Sequence, residues 1–292
     1  MSIDIQTPLI TEVLACIDGS RYSEAVCDYA AWFSLNLSAP LALLHNLEHS
    51  ENAASSDLSG AIGLGSRETL LEELTTLEGQ RNRLLLEQGK SMLQAAKERV
   101  VAAGIAAPTL KQRHDGLTES LIAMEQDIRL LVLGVRGEEH AQDDLHLGSH
   151  LEASIRALHK PILVVNCDFK TPKKIMLAFD GSDASSKALE LLVNSKRFTE
   201  LPVHLVTVGE SSDSSLALQT EATQKLKDAG HEVTAVVLEG DPCETLHSYQ
   251  DEHQIDLTLM GAFSHTRLRE WVLGSMTVKM LLSSSRPLLL LR

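Results

Sequence analysis

Short apolar segments alternate with helical patterns along the chain, and the same order of segments occurs twice. The first copy begins with the apolar run 12–17, which ends in an Asp-Gly-Ser turn at 18–20. The second begins with the apolar run 174–179, which ends in the same turn at 180–182. After each turn, apolar residues recur at helical spacing. An internal repeat of this length predicts two copies of one β–α architecture.

Later segments match in the same order. The matched pairs are residues 41–44 with 203–206 as second strands, 114–119 with 239–244 before a third helix, 128–133 with 255–260 before a glycine, and 161–165 with 287–291 as final strands that begin at proline. Because short, fully apolar strands alternate with helices, the pattern predicts an α/β fold with a mainly parallel sheet flanked by helices. We predict domains at 1–166 and 173–292, separated by the polar segment 167–172.

The two final strands also predict how the copies meet. Each is short and apolar, and an exposed sheet edge of this kind invites pairing with another strand. We therefore expect residues 161–165 and 287–291 to meet across an internal pseudo-twofold axis, so that the copies face each other as a pseudo-dimer.

The copies differ at about residues 47–103, where the first copy has an insert. A Ser/Gly/Ala-rich loop is followed there by a long helical pattern, whereas the matching segment of the second copy, 209–229, is much shorter. Arg81 and Gln88 interrupt a heptad-like series of leucines. The pattern leaves open a coiled-coil helix that binds a partner and a surface helix that packs on its own domain. The leucines of the series are Leu70, Leu74, Leu77 and Leu84.

A loop framed by small residues follows the apolar run before Gly261. It contains Ser264 and ends in Gly274 and Ser275, where the next helical pattern begins. Glycine allows backbone N–H groups to approach an anion closely, and the first turn of a helix has unpaired N–H groups. The segment therefore predicts a phosphate-binding loop. In the first copy, the matching positions are Gly134, Gly137, Gly148 and Ser149.

Charge distinguishes the two loops. Between its glycines the first copy carries four acidic residues, whereas the second carries His265, Arg267 and Arg269. Each like-charge contact with a phosphate costs on the order of 1 kcal/mol. We therefore expect the second copy to dominate phosphate binding, although the first has more of the glycines. The acidic residues are Glu138, Glu139, Asp143 and Asp144.

Together these motifs resemble the universal stress protein family, in which a Gly-x2-Gly-x9-Gly-Ser/Thr loop binds the ribose and phosphates of ATP. Gly261, Gly274 and Ser275 match that loop, and Ser264 replaces its second glycine. The resemblance covers both copies. It implies two tandem universal stress protein domains of the adenine-nucleotide-alpha-hydrolase-like type, each a five-stranded parallel sheet flanked by helices.

The resemblance also implies that Asp18 and Asp180, which follow the first strand of each copy, lie beside the adenosine. A second explanation for these residues is local, because an Asp-Gly-Ser turn can cap the following helix through a side-chain oxygen. Both explanations can hold at once.

A stress-response protein that binds an adenine nucleotide, ATP, as a sensor or regulatory module is the function that the resemblance implies. The alternative is a member of the family that binds no nucleotide and acts through dimerisation and protein–protein interaction. Weak ATP hydrolysis is a third hypothesis. Neither a Gly-x-Ser-x-Gly nor a His-Glu-x-x-His motif occurs, so we predict no catalytic residues and no enzyme.

Composition narrows the class of protein further. A formal charge of −14 over 292 residues argues against a surface that binds nucleic acid or an anionic membrane. The four cysteines lack CxxC spacing, which is typical of reduced thiols, and His140, His146 and His150 do not form a tetrahedral set. No apolar run approaches the roughly 20 residues that span a bilayer. We expect a soluble, cytoplasmic homodimer without a metal, with unknown protein partners.

Overall fold

The described part of the chain covers most of both copies. The computed structural model describes residues 11–47, 64–137, 147–210, 212–262 and 274–292, with side chains from residue 73 onwards in the second of these ranges. Ser264 and the spacers 138–146 and 263–273 lie outside the described residues, so the predictions that concern them stay predictions.

The strands lie mostly where the apolar runs predict them. They are β1 (Glu12–Cys16), β2 (Leu41–Asn46), β3 (Thr109–Arg113), β4 (Ile128–Gly134), β5 (Ile162–Val165), β6 (Ile175–Ala178), β7 (Val203–Val208), β8 (Val233–Leu238), β9 (Leu257–Gly261) and β10 (Leu288–Leu291). Except in β3 and β8, the central residues of the strands are buried on both faces, which is why those segments are largely apolar.

The helices alternate with the strands. They are α1 (Ser23–Leu37), α2 (Leu64–Ala102), α3 (Leu117–Ala123), α4 (Ser149–Ala157), α5 (Asp183–Val193), α6 (Asp213–Asp228), α7 (Pro242–Glu252) and α8 (Ser275–Ser283). Short 3-10 turns precede β4 and β7, at Glu125–Asp127 and Lys196–Glu200. In the described residues, no helix is long and apolar enough to cross a membrane.

The described strands form one sheet of ten, in the order β3-β2-β1-β4-β5-β10-β9-β6-β7-β8. Strands pair in parallel within each half of this sheet, and the second half repeats the strand order of the first in reverse. The predicted α/β fold, with a mainly parallel strand arrangement that occurs twice, is confirmed.

The two halves meet where the final strands pair antiparallel. Leu289 lies opposite Leu163 in this pairing, flanked by Leu288 opposite Val164 and Leu290 opposite Ile162. These side chains are almost completely buried. The expectation that the two final strands meet is therefore confirmed, and their unpaired edges are removed by the contact.

Neither β3 nor β8 appears among the matched strand segments of the sequence. Both lie at an outer edge of the sheet, and both mix exposed with half-buried residues. An edge strand does not need a continuous apolar run, and β3 is mostly polar. Strand β8 is mostly apolar, but the first copy has no apolar run that matches it.

Helix α2 has two halves with different surroundings. In its second half, Leu93, Ala96 and Val100 are buried, and Arg99 donates two hydrogen bonds of 2.8 Å to the carboxylate of Asp28 on α1. Residues 73–84 of the first half are exposed. The interpretation as a helix that packs on its own domain is confirmed for the second half.

Because only the second half of α2 is buried, a Leu→Ala substitution should lower the free energy of unfolding more there than in the first half. Leu93 is 4% exposed and Leu77 is 61% exposed. Leu93→Ala should lower the free energy of unfolding by about 2–4 kcal/mol, because it leaves a cavity in the core. Leu77→Ala should change it by less than about 0.5 kcal/mol. Urea denaturation measures both, and equal effects would contradict the division.

Candidate functional site

The first copy brings its two predicted site segments together at one edge of the sheet. Strands β1 and β4 pair in parallel, with Leu14 opposite Leu131 and Ala15 opposite Val132. Their carboxyl ends therefore lie side by side. Asp18 follows β1, and the glycine loop begins with the last residue of β4, Gly134.

Each carboxylate oxygen of Asp18 has its own surroundings. Oδ1 accepts hydrogen bonds from the backbone N–H of Ser20 at 2.9 Å and from the hydroxyl of Ser23 at 3.0 Å. The turn also requires Gly19, whose φ of 82° lies in the left-handed region. Oδ2 faces the glycine loop, since a Cβ atom at Gly137 would lie only 3.2 Å from it. One oxygen holds the turn, and the other faces the glycine loop.

The Asp-Gly-Ser turn caps the following helix only in the second copy, and it does so through its serine rather than its aspartate. In the second copy, Ser182 is the residue that caps α5, because its hydroxyl oxygen accepts from the N–H of Ser185 at 3.1 Å. Asp180 instead accepts from the N–H of Ser182 at 3.0 Å and from its hydroxyl at 2.6 Å. In the first copy, Tyr22 precedes α1 and its side chain makes no capping hydrogen bond. The aspartates therefore stabilise the turns rather than the helix ends.

A cavity of about 460 Å³ opens above these strand ends in the first copy. It is bounded by the ends of β1, β2 and β4, the glycine loop, the start of α4 and one side of α2. Its lining includes Cys16, Asp18, Leu44, His45, Arg81, Leu85, Gln88, Met92, Leu133, Arg136, Gly137, Gly148 and His150.

His45 connects the floor of the cavity to α2. It is buried, and its Nδ1 lies 2.8 Å from the carbonyl oxygen of Ile17. Because a carbonyl only accepts, Nδ1 donates this hydrogen bond. Any side chain at Gly89 of α2 would overlap the His45 ring and the amide of Gln112. The helix therefore lies directly on the ends of β2 and β3.

Arg136 gives the glycine loop a buried positive charge. The residue is only 7% exposed and lines the cavity between Gly134 and Gly137. A guanidinium group presents five N–H donors, which suits it to phosphate groups. The charge of this part of the loop is thus opposite in sign to that of the acidic spacer that follows.

The helices that follow both loops begin in the same way. Gly148 precedes α4 with φ −59° and ψ 133°, and Gly274 precedes α8 with φ −59° and ψ 137°. Ser149 and Ser275 are the first helical residues, as predicted. Because glycine has no side chain to cap these ends, the first N–H groups remain able to receive an anion.

The φ angle of Gly137 bears on the replacement of glycine by Ser264 in the second copy. Gly137 does not have a φ in the left-handed region. An L-residue can adopt such a conformation without backbone strain, so the first copy gives no conformational reason against serine at the matching position. Gly261 packs tightly for another reason, since a Cβ there would lie 3.0 Å from the Cβ of Ala184.

The thiol of Cys16 lies in the cavity wall. Burial raises its pKa well above the usual value, and the negative charge of Asp18 raises it further. The protonated thiol is a poor nucleophile, because the thiolate is the reactive form. All four cysteines are free thiols, as expected.

The structure assembles the predicted residues of the first copy and adds others. Asp18, Gly137 and Gly148 line one cavity, with Gly134 at the end of its β4 wall. The sequence did not single out His45 as a site residue, and nothing in its strand marks it. Arg81 and Gln88 carried one signal, namely that they interrupt the leucine series of α2. Within the described ranges, no group of three or more His, Cys, Asp or Glu residues could hold a metal ion.

Comparisons with known proteins agree with the repeated fold. A model described as the universal stress protein family matches residues 10–166 and again 171–292. The universal stress protein Slr1230 of Synechocystis sp. is 34% identical over 284 residues, which are 96% of this chain and 99% of that protein. Universal stress protein YxiE of Bacillus subtilis is 23% identical over 145 residues, 41% of this chain and 98% of its own length.

Solved structures show the same fold over nearly the whole chain. The crystal structure of a universal stress protein from Archaeoglobus fulgidus aligns with a TM-score of 0.71 at 18% identity, covering 96% of this chain and 98% of that one. A putative universal stress protein from Pseudomonas aeruginosa aligns with a TM-score of 0.58 at 12% identity, covering 97% and 93%.

The surroundings of Cys16 predict slow alkylation. Each unit by which a pKa is raised lowers the thiolate fraction about tenfold at a given pH. At pH 8, iodoacetamide should therefore modify Cys16 at least about 100-fold more slowly in the folded protein than in urea. Peptide mapping after timed labelling measures both rates. Equal rates in the two states would contradict the assignment.

Proposed function

This chain belongs to the universal stress protein family, and on that premise we propose that it binds an adenine nucleotide, ATP, as a stress-response sensor or regulatory module. The cavity of the first copy is the observation that carries the proposal. It lies at the carboxyl ends of parallel strands, where ligands of such sheets bind. Its volume of about 460 Å³ falls within the usual range for small-molecule sites.

The cavity has a suitable partner for each part of a nucleotide. Leu44, Leu133 and Met92 offer apolar surface to a base. Oδ2 of Asp18 is an acceptor, which fits the hydroxyl groups of a ribose. Phosphates would lie against Arg136 and the backbone N–H groups at the start of α4, where the helix dipole favours negative charge.

The second copy is a second candidate site for the same ligand. Asp180, Gly261, Gly274 and Ser275 occupy the corresponding places in the fold, and Ser264 completes the set in sequence. The sequence favours this copy because of its basic spacer. The described cavity favours the first copy, because Arg136 and the side chains of α2 lie there.

We propose that the nucleotide is bound without catalysis of its own conversion. Cys16 is protonated, and Asp18 is held in the turn by Ser20 and Ser23. The described lining of the cavity thus offers no activated nucleophile, and weak ATP hydrolysis is the lesser hypothesis.

A second candidate function is protein–protein interaction, including a homodimer. Leu77 and Leu84 are exposed in the first half of α2, where large apolar side chains are unusual on a solvated helix. This candidate does not require a nucleotide. It would be favoured if the protein bound none.

Paired valine substitutions test the nucleotide proposal. Gly148 and Gly274 share one backbone conformation, so each variant is the matched control of the other. Gly148→Val should weaken ATP binding at least about tenfold, because the branched side chain blocks approach to the N–H groups of α4. Gly274→Val should retain the binding of the first copy. Isothermal titration with ATP measures both, and thermal denaturation checks folding.

Two outcomes of this titration would overturn parts of the proposal. Binding that survives Gly148→Val and is lost in Gly274→Val would assign the site to the second copy, as the sequence comparison favours. No ATP binding by the unmodified protein would contradict nucleotide binding and leave the interaction candidate.

A further inference from the structure

One face of α2 lines the cavity of the first copy. Arg81, Leu85, Gln88 and Met92 lie on it at spacings of four, three and four residues, which places them on one side of a helix. Two of these residues, Arg81 and Gln88, are those that interrupt the leucine series. The interruption therefore coincides with the side of α2 that faces the cavity.

Close packing holds this face of α2 in place. Gly89 lies against His45 and Gln112, and the amide of Gln112 donates to the carbonyl oxygen of Leu86 at 3.4 Å. One turn further, Leu93 is buried in the core. The cavity-facing side chains thus extend from a helix that is already anchored to the sheet.

The cavity-facing side chains offer different chemistry along the helix. Leu85 and Met92 are half-buried and apolar, whereas Gln88 and Arg81 are exposed. From Met92 to Arg81 the helix rises about 16 Å, at 1.5 Å per residue. Because Met92 is nearer the buried half of α2, Arg81 lies towards the mouth of the cavity, beyond the strand ends.

Charge gives Arg81 a distinct role. Among the fixed charges of the described lining, Arg81 and Arg136 are positive and Asp18 is negative. Arg81 therefore contributes half of the positive charge, and it comes from an element outside the glycine loop. Such a charge adds to the attraction of the described lining for a phosphate.

We propose that α2 is part of the nucleotide site of the first copy, and that Arg81 binds the phosphate groups while Leu85 and Met92 pack against the base. This inference rests on the proposed function, because it adds residues to the same site. The corresponding helix of the second copy, α6, has 16 residues against 39 in α2. The extended wall is thus a property of the first copy.

If Arg81 binds the phosphates, the effect of its removal on affinity should depend on whether the ligand has phosphates. ATP carries the groups that Arg81 binds, whereas adenosine carries only the base and the ribose. Removing the guanidinium should therefore weaken the binding of ATP and leave the binding of adenosine almost unchanged. Removing a residue that merely supports the fold would weaken the binding of both ligands alike.

The experiment compares Arg81→Ala with Arg83→Ala in the intact protein. Arg83 lies on the same helix but outside the cavity lining, in an exposed ion pair of 3.5 Å with Glu87. Isothermal titration with ATP and with adenosine should show ATP binding weakened about tenfold in Arg81→Ala. Arg83→Ala should leave both affinities within about twofold, since exposed ion pairs contribute little. Arg81→Lys, which keeps the charge, should restore most of the affinity for ATP.

Each of the other possible results contradicts one part of the proposal. If the unmodified protein binds ATP and Arg81→Ala behaves as Arg83→Ala does, α2 supplies no phosphate contact and only this inference fails. If Arg81→Ala weakens ATP and adenosine equally, the assignment to the phosphates fails. If the unmodified protein binds neither ligand, the proposed function fails and this inference fails with it.

Discussion

The parallel pairing of β1 with β4 is the constraint on which the site depends. Parallel strands end at the same edge of a sheet, so this pairing brings Asp18 against Gly137, although 118 residues separate them in sequence. The conformation at Gly19 then directs one oxygen of Asp18 into the turn and leaves the other facing the loop. The same pairing is repeated by β6 and β9 in the second half of the sheet. The sheet topology alone thus brings the turn and the glycine loop together at this edge.

Helix α2 distinguishes the two halves of an otherwise repeated architecture. Its second half is fixed by buried apolar residues and by the ion pair of Arg99 with Asp28. Around the middle of the helix, from Arg81 to Met92, the cavity-facing residues lie on one side. A duplicated domain can therefore keep one fold and differ in its ligand site through a single lengthened helix. The exposed leucines of that helix remain available for a different use, which does not compete with the cavity for the same side chains.

The sequence predicted the parts of the fold that depend on local patterns. Buried strands such as β4 and β10 were identified from continuous apolar runs, and the meeting of β5 with β10 was expected from their exposed apolar edges. The edge strand β3 was missed because it is mostly polar, and β8 was missed because the first copy has no apolar run that matches it. The place of Arg81 in the cavity lining could not be predicted, since it depends on how closely α2 lies on the sheet. That distance is set by the absence of a side chain at Gly89, which meets His45 and Gln112 only in the folded protein.

Backbone hydrogen exchange, followed by mass spectrometry with and without ATP, tests the central claim most directly. A ligand bound between α2 and the strand ends lowers the frequency of local opening there. The account predicts slower exchange in residues 85–93 and 134–137 when ATP is present, with no change in the distant edge strand β8. Unchanged exchange in both segments at saturating ATP, or protection confined to residues 173–292, would contradict it.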